Sequence, residues 1–336
     1  MTRLPEHAWN AGLVAGSLLV GLLVVEVALH ILPLPVRDTH FALTTTFRLD
    51  PELVYTFRPG SEVTWATDEF TEYRRINSLG MRDREPAPKL PGEMRVLAVG
   101  DSFTYGHGVQ ASEAWPRVLE IQLREHGRDA IVLNAGVPGW SPDQSYRYLE
   151  RHADALAVDV VLFAINRTDI DDVISTPLYD VADGRLVPLR ADQTSIYLQG
   201  RIASVLPSPL GRLRTIRLLL SCLRGLDPYD LRPRLETGAL RAWARTKIQT
   251  EIVSLHRTLQ QRDITLVTVL TPQGGELESI VADLRSLSIP VVSIMLTPAG
   301  EPDFYFPRDG HLTVAGNAFV GRRIAERLIQ EDLLPP

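Results

Sequence analysis

From Ala11 to Leu32 nearly every position is apolar, broken only by Glu26 and His30, a run close to the roughly 20 residues that a bilayer-spanning helix needs. Trp9 falls where one interface would lie, and Pro33 and Pro35 stop the helix at the other. A cleaved signal peptide is the rival reading, but no small-x-small cleavage site follows Val25. Residues 1–36 are therefore expected to be an uncleaved anchor, with 11–32 in the membrane. Residues 37–93 are rich in Pro, Thr, Arg and Glu and carry short apolar alternations such as Leu53 to Phe57, the pattern of a stalk or a small cap. Within them Asn77-Ser78-Leu79-Gly80 signals a turn, and Pro86 to Gly92 a linker.

From residue 94 the rhythm changes to strand-length apolar runs alternating with amphipathic helices. Strands are predicted at Met94–Val99, Ala130–Leu133, Asp159–Ile165, Ile264–Leu270 and Pro290–Met295. Helices are predicted at Ser112–His126, Asp143–Leu156 and Thr313–Ile329. This alternation predicts an α/β fold for residues 94–336, a flavodoxin-like three-layer sandwich with a central parallel sheet of about five strands. Residues 175–262 interrupt it with a Pro- and Gly-rich loop, an apolar-basic stretch around Ile216 to Leu223 and a long helix from about Leu235 to Gln261. They are expected to form a helical insertion that lids or shapes the site.

Composition narrows the classes. Lys and Arg total 35 against 41 Asp and Glu, a net charge of −6, with no long basic block, so nucleic acid is not expected as a partner. The single cysteine, Cys222, excludes an intrachain disulfide and a polythiolate zinc site. The flanks of the anchor carry little charge, and one anchor so near the N-terminus usually translocates the chain on its C-terminal side. The large domain is expected outside the cytoplasmic membrane.

The chemistry concentrates at two places. Gly100-Asp101-Ser102 ends the first predicted strand, presenting a serine at the carboxyl edge of the sheet, where open α/β proteins place ligands. Serine needs a base within hydrogen-bond reach and an orienting group behind that base. Asp309-Gly310-His311, just before the last helix, supplies both types.

The order of four blocks, GDSFTYGHGV (100–109), NAGVPGWS (134–141), LFAINRTD (162–169) and RDGHLTVAGN (308–317), resembles the SGNH/GDSL hydrolase family over about residues 77–329. The upstream NSLGMRD (77–83) and the preceding anchor resemble a membrane-attached branch of that family. The resemblance implies Ser102 as nucleophile and His311 as general base, with Asp309 orienting it. It implies an oxyanion hole of the Ser102 N–H, Gly139 rather than Gly136, and the Asn166 amide. No cofactor or metal is implied. The family's last block has two residues between Asp and His, whereas only Gly310 stands here, which makes Asp303 the fallback orienter.

The implied activity is that of a serine esterase or O-acyltransferase in the cell envelope, acting on acylated, above all acetylated, carbohydrate or lipid. The alternative is a catalytically inactive SGNH-like module that binds polysaccharide or assembles a complex. Plainer readings stand beside each residue: Ser102 as a helix cap, His311 as a buried structural histidine, and His107 as a rival base or a lining residue. Gly136 and Gly139 can be turn glycines, Asp169, Asp171 and Asp172 a solvated turn rather than a cation loop, and Arg212, Arg214 and Arg217 part of an ordinary amphipathic helix. Arg167, where the family usually has Asp, either attracts an anionic substrate group or faces solvent.

Overall fold

The computed structural model describes residues 6–31, 46–194, 196–197, 201, 213–215, 237–271 and 275–335. The expected apolar-basic stretch at 216–223, with Arg217 and Cys222, and also Arg212, lie outside them.

Helix α1, Glu6–Ile31, is exposed along its apolar length, and only 6% of its Gly12–Ile31 stretch is buried. That stretch is long and apolar enough to cross a membrane, a property it shares with signal sequences. Its Glu26 carboxylate accepts the backbone N–H groups of Arg214 (2.7 Å) and Thr215 (2.9 Å) and the Thr215 hydroxyl (2.7 Å).

Next come two antiparallel pairs, β1 (Phe47–Asp50) with β2 (Val54–Phe57), and β3 (Glu62–Ala66) with β4 (Thr71–Arg75). They pack on the main domain. Phe57 faces the Tyr105 ring at 5.5 Å, Tyr55 Oη donates to the Pro138 carbonyl (3.0 Å), and Trp140 Nε1 donates to the Tyr55 carbonyl (2.9 Å). The described part of 37–93 is thus a cap rather than a free stalk. Gly80, left-handed at φ 79°, closes the expected turn by donating to the Asn77 carbonyl.

The main domain is the expected parallel sheet of five strands with helices on both faces. Its strands are β5 (Met94–Val99), β6 (Ala130–Asn134), β7 (Val160–Ile165), β10 (Thr265–Leu270) and β11 (Val291–Ser293), in the spatial order β11-β10-β7-β5-β6. This is the doubly wound 2-1-3-4-5 order, whose direction of winding reverses between β5 and β7. Strand residues alternate between two cores. Val96, Ala98, Val160 and Leu162 pack with Trp115 and Leu119 of α3 (Trp115–Glu125) and Ile324 and Leu328 of α8 (Val314–Gln330). Leu97, Val99, Val161 and Phe163 pack on the other face with α4 (Pro142–His152), α5 (Asp169–Ser175), α6 (Thr237–Gln260) and α7 (Glu278–Ser286). The runs are continuously apolar because both faces are covered.

Within 175–262 the described residues hold a hairpin and the expected long helix. Tyr179–Ala182 (β8) and Arg185–Pro188 (β9) form a hairpin whose turn, Asp183-Gly184, has both residues left-handed. Helix α6 buries Leu240, Ile248, Ile252 and Leu255 in the core beside β10, so it belongs to the sheet's outer layer.

Candidate active site

The reversal between β5 and β7 brings the ends of those strands together, with Val99 paired to Phe163. Ser102 opens a four-residue helix, α2 (Ser102–Tyr105), directly after β5. The cap of that helix is Asp101, whose Oδ1 accepts the Phe103 N–H at 2.9 Å, so the plain reading of Ser102 as a cap does not apply. A side chain at Gly100 would run into Thr104 and the Ala164 carbonyl, which explains glycine at this tight strand-to-helix turn.

Ser102 Oγ lies 2.7 Å from His311 Nε2, and His311 Nδ1 lies 2.6 Å from Asp309 Oδ1. The one-residue spacing reaches because Gly310, left-handed at φ 84°, folds the chain back, donating to the Phe306 carbonyl while Phe306 donates to that of His311. Cap residue Glu69 fixes the same turn by accepting the N–H groups of Arg308 (3.0 Å) and Asp309 (2.9 Å). Asp303 is exposed and contributes only its carbonyl, to Thr313 Oγ1, so it does not serve as fallback orienter.

Partial burial would raise the Asp309 carboxyl, but the imidazoles of His107 and His311 outweigh this and hold it far below the usual carboxylate range. His107 Nε2 stands 3.6 Å from Asp309 Oδ2, and the His107 ring packs on that of His311 at 4.5 Å between centroids.

A cleft of about 330 Å³ at this edge is lined by Ser102, His311, Asp309, Gly139, Asn166 and Phe103, among others. Gly139 is left-handed at φ 76°, and a Cβ there would press on the Tyr55 hydroxyl at 2.7 Å. Gly136 lies under the Tyr105 backbone with no room for a Cβ, a packing role. Asn134 ties two loops, donating to the Thr104 carbonyl (3.0 Å) and accepting from Gly136 (3.0 Å).

The Asn166 amide nitrogen donates to Asp101 Oδ2 at 2.9 Å, and its oxygen accepts the N–H (2.9 Å) and hydroxyl (2.7 Å) of Thr168. One amide hydrogen is thereby spent on orientation, and the second remains for a ligand. Asp101 and Thr168 are orienting residues that motif reading passed over. The neighbouring acids are not a solvated turn. Asp169 is 2% exposed and accepts the Asn166 backbone N–H at 2.6 Å. Burial first, then the charges of Asp101 and Asp172, push its carboxyl well above the usual range. Asp171 is exposed and pairs with Arg241 at 2.8 Å.

Two donor sets among the described residues are compact enough to face a cation, His107/Asp309/His311 and Asp101/Asp169/Asp172. In both, donor atoms are already engaged: Asp309 with His311, and Asp101 and Asp169 with Asn166.

Residues 98–328 match the sequence model of the GDSL-like lipase/acylhydrolase family. An arylesterase of Vibrio mimicus is 29% identical over 75 residues, 22% of this chain, so the chain spans 38% of that relative's length. Among solved structures, a psychrotrophic esterase from Pseudoalteromonas sp. is 13% identical, covering 70% of this chain and 97% of its own, with a TM-score of 0.41. A two-domain esterase active on acetylated mannans is 14% identical, covering 73% of this chain and 52% of its own, with a TM-score of 0.41.

Proposed function

Because the chain belongs to the GDSL-like lipase/acylhydrolase family, we propose that it is a serine esterase or O-acyltransferase working through an acyl-Ser102 intermediate. The observation that carries this reading is the continuous chain of contacts from Ser102 Oγ through His311 to Asp309.

In the first half-reaction His311 Nε2 takes the Ser102 proton as Oγ bonds to the ester carbonyl carbon. The tetrahedral anion is held by the N–H groups of Ser102 and Gly139 and by the free amide hydrogen of Asn166. The bond to the alcohol then breaks, and His311 returns the proton to the departing oxygen. Water or a second alcohol attacks the acyl-serine by the reverse path, giving hydrolysis or transfer respectively. Asp309 stays ionised throughout, fixes the tautomer of His311 and stabilises the imidazolium.

The cleft favours a short acyl group on a polar alcohol. Phe103 is the one large apolar side chain among the residues that line it, and Arg167, Thr168 and Asp172 make the remainder polar. An acetylated carbohydrate suits this lining better than a long-chain lipid. The exposed apolar α1 supports tethering to a membrane, and we propose that the catalytic domain lies on its outer side.

The test uses the full-length protein in detergent with p-nitrophenyl acetate, butyrate and octanoate, beside Ser102→Ala and His311→Ala. Turnover falling with acyl length and abolished in both variants is expected. Turnover unchanged in either variant would remove the catalytic reading. Mass analysis of an acetylated oligosaccharide mixed with an unmodified one separates hydrolysis from transfer. Protease protection in sealed vesicles of each orientation reports the side on which the domain lies.

A further inference from the structure

The His107 imidazole makes no hydrogen bond to the Ser102 hydroxyl, yet the surrounding structure is organised around its placement. It lies between two left-handed glycines, Gly106 (φ 80°) and Gly108 (φ 86°), and its own N–H donates to the Ser102 carbonyl at 3.0 Å. The cap secures the rest of the loop. The buried Glu72 carboxylate accepts the Gly108 N–H (2.7 Å) and the Tyr105 hydroxyl (2.9 Å). The buried Arg82 guanidinium donates to the carbonyls of Tyr105 (3.3 Å), Gly106 (2.9 Å) and Val109. Phe70 meets the His107 ring edge-on at 5.2 Å, and a Cβ on Gly108 would strike Phe306. Loop, cap and the 306–311 turn thus converge on one imidazole.

The proton on that imidazole can be placed. His107 Nδ1 is buried with no hydrogen-bond partner among the described residues, so a proton there would strand a desolvated donor. The neutral ring therefore carries its proton on Nε2, directed at Asp309 Oδ2, 3.6 Å away. Contacts of this length in resting sites commonly tighten as charge develops in the transition state.

Resting on the reading of His311 and Asp309 given above, we propose that His107 is a positioning residue. It holds the second oxygen of Asp309, so that a carboxylate only two residues from His311 keeps its first oxygen on Nδ1. The NSLGMRD segment and strand β4 act through it, which gives the cap a part in the chemistry. Without the His107 donor the carboxylate is held through Oδ1 alone, by the His311 ring (2.6 Å) and backbone N–H (3.3 Å), and misplacement of such a group by about 1 Å can cost on the order of 10²-fold in rate.

The experiment compares His107→Leu, His107→Asn and His107→Gln in the full-length protein. Glutamine places an N–H near the Nε2 position, whereas asparagine is polar but too short to reach. The expected result is that Leu and Asn lower kcat by about tenfold to a hundredfold with KM within about twofold, while Gln restores kcat to within about threefold of wild type. The low-field NMR resonance of the His311 Nδ1 proton, identified by its loss in Asp309→Ala, should broaden or shift in Leu and Asn and persist in Gln. Equal kcat in all three variants, whether high or low, would overturn the proposal. So would an unchanged resonance in Asn, a readout that stands even if Leu does not fold. If turnover proves independent of Ser102, the functional reading fails by itself, while the resonance still reports on His107.

Discussion

The cleft around Ser102 and the cluster around Lys247 both gather acids and bases, yet only the first opens to solvent. Lys247 on α6 is fully buried and pairs with the equally buried Asp143 of α4, with Glu251 3.9 Å away. Both Glu251 oxygens and Asp143 Oδ1 have no hydrogen-bond partner among the described residues. Burial first, then the Asp143 charge, pushes the Glu251 carboxyl well above its ordinary range, so a neutral Glu251 leaves one cation facing one anion. In the cleft, by contrast, His311 and Asp309 are partly exposed and each has its partner in place. Gathering ionisable groups does not make a site. Access for a substrate, with the polar atoms arranged in series toward one nucleophile, does.

Substitutions on each side sharpen the contrast. Ser102→Ala should lower kcat by on the order of 10⁴–10⁶-fold while leaving Tm at the wild-type value, since the hydroxyl serves chemistry and not packing. Lys247→Met should do the reverse. It leaves the Asp143 carboxylate buried and unpaired, at a cost of about 3–5 kcal/mol by urea unfolding, with activity per folded molecule retained. Asn166→Ala removes one oxyanion donor and should reduce kcat by about 10²–10³-fold, with a smaller change in KM.

The smallest effect belongs to Glu251→Gln. A carboxyl raised in the folded state contributes stability that is complete below its ordinary value of about 4.3 and is lost as pH rises through the folded value. The wild-type Tm should therefore fall more than that of Glu251→Gln between about pH 5 and about pH 9, by about 2–4 °C for each kcal/mol involved. An equal fall in both proteins would show that Glu251 is ionised in the fold.

Ser102 and the strand that carries it were legible because they form a short contiguous pattern, an apolar run followed by its turn, and His311 because it stands with Asp309 just before the last helix. The parallel sheet with helices on both faces was legible from strand-helix alternation for the same reason. The reach of Asp309 was not, since motif spacing suggests two intervening residues and the left-handed Gly310 supplies the missing bend. The hairpin at 179–188 had a readable signal, Asp183-Gly184 between short apolar runs, overlooked because its surroundings read as a loop. The Lys247–Asp143 pair was beyond reach, joining residues 104 positions apart on two separate helices. The cap was ambiguous in the same way, because Glu72 and Arg82 read as surface charges until the loop at 105–109 is folded against them.

The most direct test of Ser102 as a nucleophile activated by His311 is covalent labelling of the full-length protein with a fluorophosphonate, followed by peptide mapping. One labelled site, Ser102, is expected, with the rate of labelling collapsing in His311→Ala and unaffected in Glu251→Gln. Label on another residue, or undiminished labelling of Ser102 without His311, would contradict that assignment.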